Sequence, residues 1–174
     1  MRSRFLPEGR LLHTPENEAA CASRDGLRRA MEEGTVLEGV AQLCDGAHNL
    51  LVSVGPFTGF LPREEAALGI AEGTTREIAI LSRVGKPVCF QITALEESEG
   101  VLRPRLSRRR AQQAALDAML AGLHPGCILP AVVTHLESFG AFVDIGCGVP
   151  SLIGIESISV SRLSLIHISE PTRP

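Results

Sequence analysis

Residues 34–61 and 126–153 carry the same succession of signals, so a fold proposed for one stretch must also serve the other. Setting Gly34 over Gly126 brings Val36 over Ile128, Leu37 over Leu129 and Val40 over Val132. One extra residue in the first stretch then lays Val52-Ser53-Val54-Gly55 over Val143-Asp144-Ile145-Gly146, and Gly59-Phe60-Leu61 over Ser151-Leu152-Ile153. Acids follow in both, at Glu64 and Glu156. A pattern of glycine, strand, turn, strand, glycine, short strand and acid that returns after about 90 residues marks tandem copies of one barrel-like unit. Two unrelated β units sharing a generic alternation is the competing reading.

The period inside the first copy is two. Val36, Glu38, Val40 and Gln42 face one way, and Leu37, Gly39, Ala41 and Leu43 the other. Asp45-Gly46 signals a turn. Leu50–Val54 and Gly59–Leu61 are short strands closed by Gly55-Pro56 and Pro62, and Arg63–Ala66 reads as a short helix. Further strands are expected at Arg76–Leu81, Pro87–Ile92 and Val101–Leu106. Ahead of them, Thr14-Pro15-Glu16 opens a helical lead-in with an N-cap, a first-turn proline and an acid, weakened at Gly26 and stopped at Gly34. Ser107 caps a second helical stretch to about Gly122, with Ala111, Ala114, Ala115, Ala118 and Met119 on one face. The expected fold class is therefore mainly β with connecting helices. It divides into a lead-in (1–33), a divergent barrel (34–108), a linker helix (109–125), a second unit (126–162) and a tail (163–174).

Composition narrows the function. At 174 residues the chain has room for one domain or two small ones, and 44% apolar residues supply a core. With no Trp, no Tyr and six Phe, an aromatic-rich ligand cage is excluded. With 17 Lys+Arg against 20 Asp+Glu, a long polybasic DNA-binding surface is excluded too. Nucleic-acid binding must then rest on local patches and stacking. No apolar run approaches the roughly 18 residues of a membrane span. Met1–Gly9 carries Arg2 and Arg4 without a following apolar stretch, so it does not read as a secretory signal. Cys21, Cys44, Cys89, Cys127 and Cys147 form no Cys-x-x-Cys pair and share no ligand spacing with the five His. They read as reduced thiols of a cytoplasmic protein rather than a disulfide framework or a structural zinc site. No convincing carboxylate pair, Gly-rich phosphate loop or metal set is present, so neither an enzyme nor a cofactor is expected.

The stretch Gly126–Ile153, and above all Ser138-Phe139-Gly140-Ala141-Phe142-Val143, resembles the ribosomal S1 domain, a five-stranded OB-fold barrel that binds single-stranded RNA. Residues 34–108 resemble a more divergent copy, and Leu106-Ser107-Arg108-Arg109 is similar to the Leu-Ser-x-Arg ending of such a domain. The resemblance, to S1-like proteins of bacteria, covers about residues 34–162 and implies tandem OB-fold barrels, the second lacking its last two strands. Its implied partners are single-stranded RNA or mRNA and the small ribosomal subunit, with no membrane. In physical terms an exposed ring at Phe139 or Phe142 offers a π-face to any base, worth ~1–3 kcal/mol per base. Composition alone would let both rings fill the barrel instead. Gly140 is expected to provide a sharp turn between them. The family's third strand commonly reads Gly-Leu-Ile-His-Ile-Ser; here Gly154 replaces the His, and His135 is the candidate to contribute beside Phe139. The Phe pair maps onto Ala47 or His48 and Leu51 in the first copy, which is therefore expected to lack a stacking platform and to be structural or protein-docking.

Arg103, Arg105, Arg108, Arg109 and Arg110 place five cations in eight residues. Arg108, Arg109 and Arg110 are candidate phosphate contacts between the two units, with Lys86 a weaker one. The alternative is pairing with Glu96, Glu97 or Glu99, or plain solvation. Residues 163–174 include Leu165-Ile166-His167-Ile168-Ser169, which mimics the family's third strand, but that strand is already supplied by Ser151–Ile155. The tail also resembles the translated end of a transposon adapter from sequencing libraries, so it is expected to be non-native and without function. An RNA-binding protein of translation is the leading expectation. An RNA-holding appendage of a larger enzyme, such as an exoribonuclease, and a protein-interaction module are the alternatives.

Overall fold

A computed structural model describes residues 5–158. The adapter-like tail and the end of the second unit at 159–162 lie outside the described residues, as do Arg2 and Arg4.

The lead-in forms two short helices. α1 (Pro15–Cys21) is capped by the Thr14 hydroxyl, which accepts from Asn17 N–H. α2 (Arg24–Glu33) is capped by Ser23 and ends at Gly34, whose φ of 65° is the left-handed conformation glycine adopts freely. The break falls at Ser23, and Gly26 lies inside α2, where a Cβ would come 2.6 Å from the Ala20 carbonyl oxygen of α1. The buried Asn17 amide grips the next strand in both directions. Its Oδ1 accepts from Glu38 N–H at 2.8 Å and its Nδ2 donates to the Glu38 carbonyl at 3.1 Å.

Five strands then close a barrel: β1 (Leu37–Cys44), β2 (Leu50–Val54), β3 (Phe57–Leu61), β4 (Pro87–Ser98) and β5 (Val101–Ser107). Around the barrel the order is β1-β2-β3-β5-β4, with β4 paired back to β1 and β3 parallel to β5. This ring is the OB-fold arrangement. Alternate residues point inward: Leu50, Val52 and Val54 of β2, Leu61 of β3, Val88 and Phe90 of β4 and Leu106 of β5 are fully buried. The segment Arg76–Leu81, expected as a strand, is instead helical at α3 (Ile78–Leu81). The ring is already closed by the β3–β5 and β1–β4 pairings and offers no slot. One helical turn buries Ile80 and leaves Ile78 and Leu81 exposed.

α4 (Arg108–Gly122) follows, with Ser107 accepting from Arg110 N–H as its cap. It buries Ala111, Ala115 and Met119, while Ala118 faces solvent. A three-stranded sheet comes next: β6 (Val132–Glu137), β7 (Gly140–Asp144) and β8 (Pro150–Gly154), then a final turn of helix, α5 (Ile155–Ile158). Its pairing reproduces the first unit residue for residue. Val40 opposes Ser53 and Ala41 opposes Val52; after a bulge, Leu43 opposes Leu51. Correspondingly, Val132 opposes Asp144 and Val133 opposes Val143; after a bulge, His135 opposes Phe142. Gly59 and Phe60 lie across from Val52 and Leu51, as Ser151 and Leu152 lie across from Val143 and Phe142. Among the described residues no helix is long and apolar enough to cross a membrane, and the five cysteines are unbridged.

Residues 5–13 form an irregular strap that ties the two units together. Cys147 N–H donates to the Leu6 carbonyl at 2.9 Å, and Glu8 N–H donates to Asp144 Oδ2 at 2.8 Å. Glu8's carboxylate is buried, accepts two bonds from Arg108 at 2.9 and 2.5 Å and takes Cys89 N–H at 2.8 Å. Gly9 N–H donates to Glu38 Oε2 at 2.9 Å. Burial pushes the Glu8 carboxyl up, but Arg108 and Arg83 outweigh it and hold it below its ordinary value. Burial pushes Glu38 up to about 7, against the backbone bonds that lower it. The signs oppose each other. Glu8 contributes stability above its ordinary value of 4.5 that is lost as pH falls, whereas ionising Glu38 costs stability progressively from 4.5 up through about 7. Thermal melts across the acid-to-neutral range should therefore show greatest stability near about pH 5. Glu38→Gln should flatten the decline towards neutrality; an unchanged decline would remove Glu38 as its source.

Candidate nucleic-acid interface

β7 builds the site because its alternation sorts small inner residues from large outer ones. Ala141 and Val143 point inward and are buried, while Phe142 points outward, half-buried. Phe139 precedes the strand and is 52% exposed. Its ring meets Phe142 edge to face, with centroids 6.2 Å apart and planes at 86°. His135, opposite Phe142 across the bulge, lies nearly parallel to it at 6.3 Å and 29°. His135 Nε2 is also 2.6 Å from Glu137 Oε1, which fixes the ring's orientation. Leu152, on the other side of Phe142, is exposed and extends the apolar face onto β8. The result is a continuous outer strip of His135, Phe142 and Leu152 with Phe139 standing over one end.

Gly140 plays a different part from the sharp turn expected of it. A Cβ there would sit 2.2 Å from the Ile153 carbonyl oxygen, so glycine is required for β7 and β8 to approach. Asp144 shares the outer face with Phe142 but is covered. Its Oδ1 accepts from Gly146 and Gly148 N–H at 2.9 and 3.0 Å, and the strap closes over it. Burial raises its carboxyl above the ordinary value.

The arginine cluster divides by burial. Arg108 is not a phosphate contact: its side chain is 7% exposed, locked on Glu8 and donating from Nη1 to the Ala66 carbonyl at 3.1 Å. Arg109 is taken as well, forking onto both oxygens of Glu65 at 3.0 Å while Ser107 Oγ donates to the same carboxylate at 2.6 Å. That fork leads the causes that hold the Glu65 carboxyl low. The expected acids were nearly all wrong for these two: Glu96 receives Arg105 at 3.4 Å, and Glu97 receives Arg24. Arg110 and Lys86 stand exposed.

The first barrel holds more on this face than its sequence indicated. Leu43, Leu51 and Phe60 occupy the positions of His135, Phe142 and Leu152. Arg105 lies across from Phe60, its guanidinium carbon 5.6 Å from the ring centroid. Phe139's counterpart, His48, is tied to Glu77, which also receives Arg63. The Arg105–Phe60 contact was hidden because it joins strands 45 positions apart in parallel, a pairing that local alternation does not reveal.

Compared with known proteins, the chain matches no family model. It is 30% identical over 172 residues to small ribosomal subunit protein bS1 of Mycobacterium tuberculosis, covering 95% of this chain and 32% of that protein. It is 27% identical over 150 residues to bS1 of Neisseria meningitidis serogroup B, covering 83% and 24%. The chain thus spans a third or less of the length of these curated relatives. The solution structure of GSP13 from Bacillus subtilis overlaps 56% of this chain and 64% of its own at 20% identity and a TM-score of 0.33, too slight a likeness to bear on the fold. With an OB-fold barrel, a second sheet in the same register and likeness to bS1 along nearly all its length, the chain is an S1-like protein.

Proposed function

We propose that the chain binds single-stranded RNA on the outer face of β7 and β8, with mRNA and the small ribosomal subunit as its partners in the cytoplasm, and that its role is binding rather than catalysis. The observation that carries this reading is the exposed Phe139 ring set edge to face on Phe142, with His135 stacked behind it. Unpaired bases gain from such a surface whatever their identity, because each has a π-face. Arg110 and Lys86 are the exposed cations offered to phosphates. The curated relatives are named as proteins of the small ribosomal subunit, which supports the same assignment.

Stacking requires bases freed from a duplex. A labelled oligoribonucleotide should therefore bind the chain at least about tenfold more tightly as a single strand than when annealed to its complement. With a net charge of −3, the affinity should fall only shallowly with added salt. Equal affinity for strand and duplex, or a steep salt dependence, would reject stacking as the source of binding.

A further inference from the structure

We infer that the first barrel carries a second base-stacking station, formed by Phe60 and Arg105 on the outer face of β3 and β5, so that one RNA strand is held by both units. The inference rests on the proposed RNA-binding role of β7 and β8 and adds a site that the first unit's sequence did not reveal. Three observations place it. The cross-strand register puts Leu43, Leu51 and Phe60 where the second unit has His135, Phe142 and Leu152, so the two surfaces are equivalent in the fold. Phe60 is half-buried and Leu43 is 54% exposed, so this side of the barrel offers apolar surface that the core does not use. Arg105 lies 5.6 Å over the Phe60 ring, and its Nη1 is 3.4 Å from Glu96, which steadies the guanidinium from the side.

An arginine plane stacked on an aromatic ring is itself a platform for a base, and its remaining N–H groups point at the sugar-phosphate chain. The ligand class is accordingly an unpaired nucleotide stretch rather than a protein helix, which would need a groove. The acids Glu96 and Glu97 flank the station on β4, but each already holds an arginine, Arg105 and Arg24.

The test uses the full chain and two unstructured RNA lengths, about 8 nucleotides for a single station and about 24 for both. Phe60→Leu keeps the apolar volume and removes the ring; Arg105→Gln removes the cation and its plane. Each should weaken the long strand about tenfold, and combining Phe60→Leu with Phe142→Leu should weaken it by about the product of the two. Unchanged melting temperatures would show that the variants fold. If Phe142→Leu weakens binding while Phe60→Leu and Arg105→Gln leave both lengths unaffected, the second station is overturned and the β7–β8 reading stands. If the wild-type chain binds neither RNA, both fall together.

Discussion

Replacing Arg108 by leucine is expected to destabilise the chain by about 3–5 kcal/mol, more than any other single change at this arginine cluster. The reason is the carboxylate it leaves behind. Glu8 is buried under the strap and receives two of its bonds from Arg108. Without that partner the carboxylate must stay charged in a dry site or take up a proton, and Arg83 at 3.7 Å is too distant to replace a bidentate pair. Glu8→Gln alone strands the guanidinium in the same way, while Glu8→Gln with Arg108→Met should recover most of the loss, because neither charge is then left unpaired. Chemical denaturation of the four chains checks this double-mutant cycle. Additive losses, or a single-variant cost below about 1 kcal/mol, would place Arg108 among the weak surface pairs.

Arg108 also shows where reading the sequence stops. Five arginines within eight residues look like one surface feature, yet the fold sends them to different fates. Arg108's counter-ion lies 100 positions away, and no local pattern announces it. Arg76–Leu81 failed as a strand for a similar reason, because the closed ring left no edge for it. What was legible followed from local rules. Offsetting the two copies by the extra residue placed Val40 on Val132 and Val52 on Val143, the pairs that occupy equivalent places in the two sheets. The caps at Thr14 and Ser107 and the stop at Gly34 were likewise readable, since each is a property of one residue and its next turn. The outward placement of Phe139 came from the family resemblance; composition alone favoured the core.

The second large effect is expected at the two rings. Phe142 supports Phe139 by its edge contact and His135 by near-parallel stacking, so its removal disorders the strip as well as deleting one π-face. At ~1–3 kcal/mol per stacked base, Phe139→Ala or Phe142→Ala should each weaken single-stranded RNA binding by about tenfold or more. Both rings lie on the outer face, so the double variant should melt within about 1 kcal/mol of the parent and remain a fair comparison. A titration of one labelled single-stranded oligoribonucleotide, at one fixed salt concentration, with the wild-type chain and the Phe139→Ala/Phe142→Ala chain is the direct measure. A loss of about a hundredfold is predicted; indistinguishable binding curves for two folded chains would contradict it.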